Sequence, residues 1–395
     1  MTNIEDAFQI INKSVHPLGT IELALEDALG FTLSEEITSQ IHMPPFNQSA
    51  MDGYAINSSS DALLKERFVL VDEIKAGDNA SNIKLAPSKA IRIFTGAMIP
   101  EGTTHVAQQE IALVENGTIR IQKELKIGAN IRLKGEQIIK GANVCPAGTK
   151  LNAAIIGYLA TLGIEKVTVF KRPNIGILNT GDELQVPGEN LEPGKVYESN
   201  GIMLTSLLKE MNLSSKRHRV EDHLTTTKEM IKQLSDENDL LIITGGISVG
   251  DYDFVGKALD LLGCKKQFYK VKQKPGKPLY YGILNGTHVF ALPGNPAAVI
   301  TCFHLYVKPA IKLILGYNND QIRPSLVGKL SDEYTKKGDR PVFLKAKVDT
   351  ENQVTLLSHQ SSAMLNSFVQ ANCFAFISGE VETIKANDEI VVYPI

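Results

Sequence analysis

Residues 239–254 read D-L-L-I-I-T-G-G-I-S-V-G-D-Y-D-F, and this stretch decides how we interpret the rest of the chain. The apolar run 240–243 is rich in β-branched residues and stops at glycine, which predicts a strand buried on both faces of a sheet. The loop that follows combines glycines with hydroxyl residues, namely Thr244, Gly245, Gly246, Ser248 and Gly250. Such a backbone can turn sharply and approach a phosphate closely. A turn that only joins a strand to a helix would show the same residues.

The composition predicts an ordinary globular protein. Of the 395 residues, 43% are hydrophobic and 22% are charged, and the net charge of -3 provides no overall basic field for nucleic acid. The four cysteines form no C-x-x-C pair, which argues against a zinc site and a disulfide framework and favours a reducing compartment. We find no basic-then-apolar leader and no apolar run of about 18 residues, so we predict no signal peptide, no membrane span and a cytoplasmic location.

Strands and helices alternate in the middle of the chain. We predict strands at 175–178, 219–221, 240–243 and 289–292, and they alternate with helices at 202–211, 225–234, 254–262 and 297–315. This order predicts a doubly wound, mainly parallel sheet. Ligands of such sheets lie beyond the carboxyl ends of the strands.

The flanking segments predict three further domains, so the expected fold class is a multidomain α/β protein. Short strands at 68–71, 90–94, 105–107, 119–122 and 130–133 indicate a small β-rich domain. Helical patterns at 4–11, 23–29 and 153–162 indicate a helical linker domain, and the strand pattern after 326 indicates a last small β domain. The predicted divisions are 1–44 plus 146–170, 45–145, 171–318 and 319–395.

Two proline-rich loops are candidate anion sites. In K-P-G-K-P, residues 274–278, the prolines deny the loop a helix and hold Lys274 and Lys277 close together. Like charges held together favour a bound anion, although many lysine-rich turns are simply solvated. In P-G-N-P, residues 293–296, Asn295 is a suitable helix N-cap and Pro296 suits the first helical turn. Simple capping requires the same residues as anion binding there.

Carboxylates follow three successive predicted strands. Glu183, Asp222 and Asp253 would together suit one Mg²⁺ ion, which prefers oxygen ligands. Each of them alone would read as a helix cap or a surface group. Asp52 follows a rigid loop with two prolines, which is costly to order unless the loop has a role. Arg340 and the segment 358–365 read, from spacing alone, as a surface turn that carries oxyanion donors.

Seven motifs in one order resemble a single family, the molybdopterin molybdenumtransferases that include MoeA and the gephyrin E domain. The resemblance covers nearly the whole chain. It rests on P-P-F-N-Q-S-A-M-D-G-Y-A (44–55), F-T-G-A-M-I-P (94–100), N-I-R-L-K-G-E (130–136), N-T-G-D-E-L (179–184), T-G-G-I-S-V-G-D-Y-D (244–253), K-P-G-K-P (274–278) and L-P-G-N-P (292–296).

The resemblance implies an enzyme of molybdenum cofactor biosynthesis. Such an enzyme inserts molybdenum from molybdate into adenylylated molybdopterin and, with Mg²⁺, releases AMP and molybdenum cofactor. It implies an elongated homodimer of four-domain subunits, with the active cleft between the α/β domain of one subunit and the small β domain of the other. Whether the enzyme also contacts a molybdopterin adenylyltransferase is left open.

The implied and predicted site residues fall into three groups. Catalytic roles are predicted for Asp52, Glu183, Asp222, Asp253, Lys274 and Lys277. Metal ligation is predicted for Glu183, Asp222 and Asp253. Substrate contacts are predicted for Thr95, Arg132, Thr180, Gly245, Gly246, Ser248, Gly250, Pro293, Gly294, Asn295, Arg340 and Ser361, with Ser362 as an alternative to Ser361.

The chain departs from the family pattern at three places. Gln137 stands where the family often has aspartate, which removes a carboxylate. A serine commonly follows P-G-N-P by one residue, but Ala297 and Ala298 stand here, which removes a hydroxyl. The family's Q-G-S reads Gln360-Ser361-Ser362 here.

Two other functions match parts of the sequence. A molybdopterin adenylyltransferase resembles the α/β domain alone, but would not need residues 1–170 or the last β domain. A non-enzymatic scaffold of the gephyrin kind would not need the carboxylates or K-P-G-K-P.

Overall fold

The computed structural model describes residues 1–58, 63–247 and 254–395. It divides into two compact units. The first comprises Met1–Ser34, Gly148–Asn152 and Lys166–Ile395, and the second comprises Glu35–Ala147 and Ala153–Glu165. The finer division into four domains remains a proposal.

A six-stranded sheet forms the centre of the first unit. Its strands, in spatial order, are Lys216–Val220, Ile175–Thr180, Leu240–Thr244, Thr287–Leu292, Tyr280–Leu284 and Lys265–Tyr269. The first four strands are parallel to one another, and the last two strands form antiparallel pairs at one edge of the sheet. The mainly parallel sheet was therefore predicted correctly, while the antiparallel hairpin at its edge was not.

Helices cover both faces of this sheet. They are Ile4–Ser14, Asn200–Glu210, Leu224–Glu237, Phe254–Leu261, Pro296–Cys302, Lys308–Ile314 and Asn319–Ile322. Alternate residues of the central strand Leu240–Thr244 point into two different cores. Ile242 packs in the core that contains the helical segment 296–314, whereas Leu241 and Ile243 pack in the other core. This alternation is the period of two that a strand imposes.

The predicted helix 297–315 is present but is interrupted. An α-helix, Pro296–Cys302, passes into a π-helical segment, Phe303–Val307, and continues as Lys308–Ile314. The stretch Pro296–Ile314 is long and apolar enough to cross a membrane by length and composition, but 83% of it is buried inside the protein. That burial is typical of a core helix.

The predicted helix at 23–29 is wrong. Residues Thr20–Ala24 form a strand that pairs antiparallel with Lys166–Phe170, and only a short 3₁₀ turn, Leu25–Asp27, follows. The short segment lacks the length that a stable helix needs. Pairing with a sequence-distant strand satisfies its backbone instead.

The last predicted β domain is a closed barrel. Its strands run in the order Leu326–Leu330, Gln353–Leu356, Val342–Val348, Cys373–Ile377 and Glu389–Pro394. Closure leaves no free strand edge. A strand pair Tyr334–Thr335 with Thr383–Ile384 and a 3₁₀ turn Asn366–Val369 accompany it, and a second short pair, Leu184–Gln185 with Val196–Tyr197, lies beside the central sheet.

The second unit is built on its own six-stranded sheet, as the β-rich pattern predicted. The strand order is His105–Gln108, Gly53–Ile56, Lys89–Ile93, Phe68–Ile74, Thr118–Ile121 and Ala112–Glu115. Two short pairs join Gln48–Ser49 to Ile131–Arg132 and Ile37–Thr38 to Asn143–Cys145. The unit also contains the helix Ala153–Thr161 and the 3₁₀ turns Leu63–Lys65 and Gln109–Ile111.

Candidate functional site

A cavity of about 510 Å³ lies at the carboxyl ends of the parallel strands in the first unit. This is where ligands of doubly wound sheets bind. Eight of the predicted site residues line it, namely Thr180, Glu183, Asp222, Gly245, Gly246, Pro293, Gly294 and Asn295, and Pro278 lines it as well. Ser248, Gly250 and Asp253, the other predicted residues of the glycine loop, fall outside the described residues.

The two glycines are required by a close backbone approach. Gly245 and Gly246 have φ of +92° and +57°, a region that side-chain-bearing residues rarely adopt. A Cβ on Gly245 would lie 2.5 Å from the carbonyl oxygen of Thr180, and one on Gly246 would lie 2.9 Å from its Oγ1. The bare backbone therefore forms one wall of the cavity, and the buried Thr180 hydroxyl beside it has no hydrogen-bond partner among the residues that the structure describes.

Two carboxylates, Glu183 and Asp222, line the cavity, and Asp182 lies beside Asp222. The backbone N–H of Asp222 donates to Oδ1 of Asp182 at 2.9 Å. Partial burial, together with the charges of Asp182 and Glu183, raises the pKa of Asp222. None of the ion pairs within the described residues involves these three side chains.

A hard cation fits this donor set. Clustered carboxylates without a cationic partner repel one another, and oxygen ligands are those that Mg²⁺ prefers. The described part of the chain contains no group of three His, Cys, Asp or Glu side chains placed to hold a metal. Glu183 and Asp222 thus provide two candidate ligands, and the third predicted one, Asp253, lies outside the described residues.

The helix that begins at Pro296, the last residue of P-G-N-P, has its N-terminus at the cavity. Asn295 occupies the N-cap position and Pro296 the first turn, as predicted, but the Asn295 side chain makes no capping bond. It donates instead from Nδ2 to Ser362 Oγ at 3.1 Å, while Ala297 N donates to the Ser362 carbonyl at 3.0 Å. Ser362 therefore brings a hydroxyl to the helix end at which Ala298 lacks one.

Asn200 was not identified from the sequence, although it braces this wall of the cavity. Its Nδ2 donates to Thr244 Oγ1 at 3.0 Å and to the Gly294 carbonyl at 2.8 Å. It thereby ties the central strand to the P-G-N-P loop. A lone asparagine at the start of a predicted helix carries no signal for such a role.

The loop 274–278 connects the two antiparallel edge strands and contacts the barrel. Lys274 N donates to the Pro341 carbonyl at 2.9 Å, and Phe343 N donates to the Lys274 carbonyl at 2.8 Å. Arg340 Nη1 reaches the Gln273 carbonyl at 3.5 Å. The structure thus brings Lys274 and Arg340 together. Both lysine side chains are exposed, and Lys274 lines a second cavity of about 270 Å³ beside Lys336 and Gln360.

A buried lysine shapes the loop that carries Ser361 and Ser362. Lys345 is only 4% exposed. Its Nζ donates to the carbonyl oxygens of His359, Ser361 and Met364 at 2.5, 3.2 and 3.0 Å. Burial lowers the pKa of this ammonium group, and the three carbonyls compensate for its lost hydration. Because lysine is almost never fully buried, composition could not predict this role.

We expect Lys345→Met to destabilise the protein by about 2–4 kcal/mol, because three part-buried hydrogen bonds to a charged group would be lost. Lys347→Met is the matched control, because Lys347 is an exposed lysine two residues farther along the same strand, and it should change the free energy of unfolding by less than about 0.5 kcal/mol. Urea denaturation of both variants measures the difference. An equal loss of unfolding free energy in the two variants would mean that the hydrogen bonds of Lys345 to the three carbonyls do not stabilise the protein.

The second unit holds the remaining predicted residues. Thr95 donates to Asp52 Oδ1 from both its backbone N–H and its hydroxyl, each at 2.8 Å. These bonds and the nearby Arg92 lower the pKa of Asp52, so this exposed carboxylate is held ionised. Arg132 lies exposed on the short strand that pairs with Gln48–Ser49, and no described contact joins its side chain to Asp52.

Comparison with known proteins matches this architecture in three consecutive segments. Residues 2–163 match the MoeA N-terminal region (domains I and II), 176–313 match a probable molybdopterin binding domain, and 327–395 match the MoeA C-terminal region (domain IV). A molybdopterin molybdenumtransferase of Staphylococcus epidermidis is 33% identical over 399 residues, which cover 99% of this chain and 94% of the relative. The chain belongs to the MoeA family. The enzyme of the same name from Staphylococcus aureus strain MSSA476 is 32% identical, over 98% of this chain and 94% of its own.

Solved structures of MoeA proteins share the fold over the whole length. The molybdopterin biosynthesis MoeA protein of Pyrococcus horikoshii OT3 superposes with a TM-score of 0.85 at 27% identity, covering 100% of both chains. The predicted family, its multidomain fold and its class as a transferase are confirmed. The roles of the individual MoeA site residues remain predictions.

Proposed function

We propose that this MoeA-family chain inserts molybdenum from molybdate into adenylylated molybdopterin and releases AMP. The observation that carries the proposal is the cavity at the strand ends, where a bare glycine backbone, a helix N-terminus and a carboxylate pair face one another. Backbone N–H groups and a helix N-terminus suit the phosphates of a nucleotide-linked substrate. The proposal includes Mg²⁺ dependence, a homodimer and a cytoplasmic location, which family membership alone does not establish.

We infer the role of each proposed site residue from its charge. Glu183 and Asp222, with Asp253, would hold Mg²⁺, which when bound supplies positive charge to the phosphoanhydride. The glycine backbone at 245–246 lets the phosphates approach the sheet, since no side chain stands in the way. Lys274, Lys277 and Arg340 would bind oxyanions, and the hydroxyls of Ser361 and Ser362 add neutral donors.

The direct test of this proposal is turnover by the purified protein. Incubation with adenylylated molybdopterin, molybdate and Mg²⁺ should release AMP, and chelation of Mg²⁺ should stop the release. Consumption of ATP with molybdopterin, in place of AMP release, would identify an adenylyltransferase and contradict the proposal.

We expect Lys277→Ala to raise the molybdate concentration for half-maximal turnover roughly tenfold. Loss of a charged hydrogen bond costs about 1.5–3 kcal/mol, and 1.4 kcal/mol corresponds to a factor of about ten. The control is Lys265→Ala, since Lys265 is equally exposed and lies in the strand that precedes the loop. An unchanged molybdate requirement in both Lys274→Ala and Lys277→Ala would mean that the loop does not bind the oxyanion.

We also expect a dimer in solution, because Asp52 and Thr95 form a hydrogen-bonded pair whose proposed substrate-binding role needs a second subunit to complete the cleft. Light scattering at micromolar concentration measures the mass directly. A mass of 43.2 kDa, that of one chain, would contradict this expectation.

A further inference from the structure

Hydrogen bonds close the loop 274–278 at its base, and the side chain of Gln273 fills its interior. The Lys277 carbonyl accepts from Val271 N at 3.0 Å and from Leu279 N at 2.9 Å, which closes the loop. The carboxamide of Gln273, fully buried, lies inside it and donates from Nε2 to the Pro275 carbonyl at 2.9 Å. The interior of this loop is therefore a polar group that must be oriented correctly to be satisfied.

The orientation of that carboxamide is set from the long helix. Tyr306, 1% exposed and in the π-helical segment, donates its hydroxyl to Gln273 Oε1. Cys302, one turn earlier on the same helix, contacts the Gly276 carbonyl through Sγ at 3.7 Å and lies 3.9 Å from Gln273 Nε2. Because amide oxygen and nitrogen have opposite roles, the hydroxyl donor leaves Nε2 facing Pro275.

The backbone of Gln273 and Lys274 connects the loop 274–278 to the barrel. Arg340 Nη1 approaches the Gln273 carbonyl, and the adjacent Lys274 exchanges backbone bonds with Pro341 and Phe343. A shift of the backbone at 273–274 would thus move Lys274 and break its contacts with the barrel segment that carries Arg340. π-helical segments within α-helices are frequent at functional sites, and this one places Tyr306 directly behind the loop.

We propose that Tyr306 and Gln273 are positioning residues that fix the cationic loop 274–278 for oxyanion binding, an inference that rests on the proposed function. Tyr306 acts through Gln273, and neither side chain touches the substrate. Burial of a carboxamide and a phenol where apolar side chains would pack is explained by this role, since a satisfied polar network specifies one loop geometry.

The test compares two tyrosine-to-phenylalanine variants of the full chain. Tyr281 is a matched control because it is also fully buried in the same core, and its hydroxyl contacts Ser14 and His288 instead of the loop. Tyr306→Phe should accelerate amide hydrogen exchange of the peptide 270–279 roughly fivefold, which is the factor for a lost neutral hydrogen bond. Tyr281→Phe should leave that peptide at the wild-type rate.

Turnover provides the second readout. Tyr306→Phe should raise the half-saturating molybdate concentration by a similar factor, roughly fivefold, while the KM for the pterin substrate and kcat change less than twofold. Gln273→Met should raise the molybdate concentration at least as much, and Tyr306→Phe added to it should cause no further rise. An equal additional effect of Tyr306→Phe in that background would contradict action through Gln273.

Two results would overturn the inference independently of the proposed function. One is unchanged exchange of the peptide 270–279 in Tyr306→Phe. The other is an equal acceleration in Tyr281→Phe, which would indicate general loosening of the core. If the wild type released no AMP, the proposed function would fail, and the exchange comparison alone would then decide whether Tyr306 positions the loop.

Discussion

Asp222→Asn should lower AMP release by roughly a hundredfold or more while raising the melting temperature of the protein. The loss is on the scale of removing one electrostatic contact in an active site. The gain in stability follows because partial burial, and then the charges of Asp182 and Glu183, raise the pKa of Asp222. A carboxyl with a raised pKa destabilises the folded state at pH values where it is ionised, so a neutral amide relieves the repulsion.

Glu221→Gln provides the control, because it removes a charge from the exposed neighbouring side chain, which does not line the cavity. It should retain AMP release within twofold. Turnover and thermal unfolding of both variants are the measurements. Asp222→Asn with normal activity would refute its role in the site, and a lower melting temperature would refute the repulsion.

Gly245→Ala should destabilise the protein by about 2–4 kcal/mol and abolish turnover. Positive φ costs an alanine about 1 kcal/mol, and the added Cβ would press against the Thr180 carbonyl, which is backbone and cannot rotate away. Either the strained backbone angle or the overlap with Thr180 would displace the backbone that we propose faces the phosphates.

Gly286→Ala separates the two costs. Gly286 has φ of +94°, close to the +92° of Gly245, but a Cβ there would meet nothing within 4 Å. This variant should lose only about 1 kcal/mol and keep its activity. If chemical denaturation gave both variants the same free energy of unfolding, the close approach at Thr180 would not be the reason for the glycine.

The sequence predicted the parts of the fold that local pattern determines. The buried strand at 240–243 was evident because both faces require apolar residues, so Leu241, Ile242 and Ile243 are all fully buried. The outer strand of the edge hairpin was missed because edge strands are often polar and carry lysine, as Lys265–Tyr269 does with Lys265 and Lys266. The strand at Thr20–Ala24 was mistaken for a helix because its identity depends on a partner that lies far away in the sequence.

The candidate site was predicted wherever a motif lies at the end of a strand. Thr180, Gly245 and Gly294 meet in one cavity because parallel strands end at the same edge. Contacts between distant segments were not predictable, as in the bond between Asn295 and Ser362, which are 67 residues apart. Gln273 and Lys345 were missed for a related reason, since their buried polar groups are satisfied inside the fold, by backbone carbonyls and, for the Gln273 oxygen, by the Tyr306 hydroxyl.

AMP release by the purified chain in the presence of molybdate is the direct test of the strand-end cavity as the active site. With adenylylated molybdopterin and Mg²⁺, we predict AMP in equal amount to the molybdenum that becomes bound to the pterin, and loss of this release in Gly245→Ala and Asp222→Asn but not in Gly286→Ala or Glu221→Gln. Absence of AMP from the wild type under these conditions, or release unaffected by Asp222→Asn and Gly245→Ala, would contradict the assignment of the strand-end cavity as the active site.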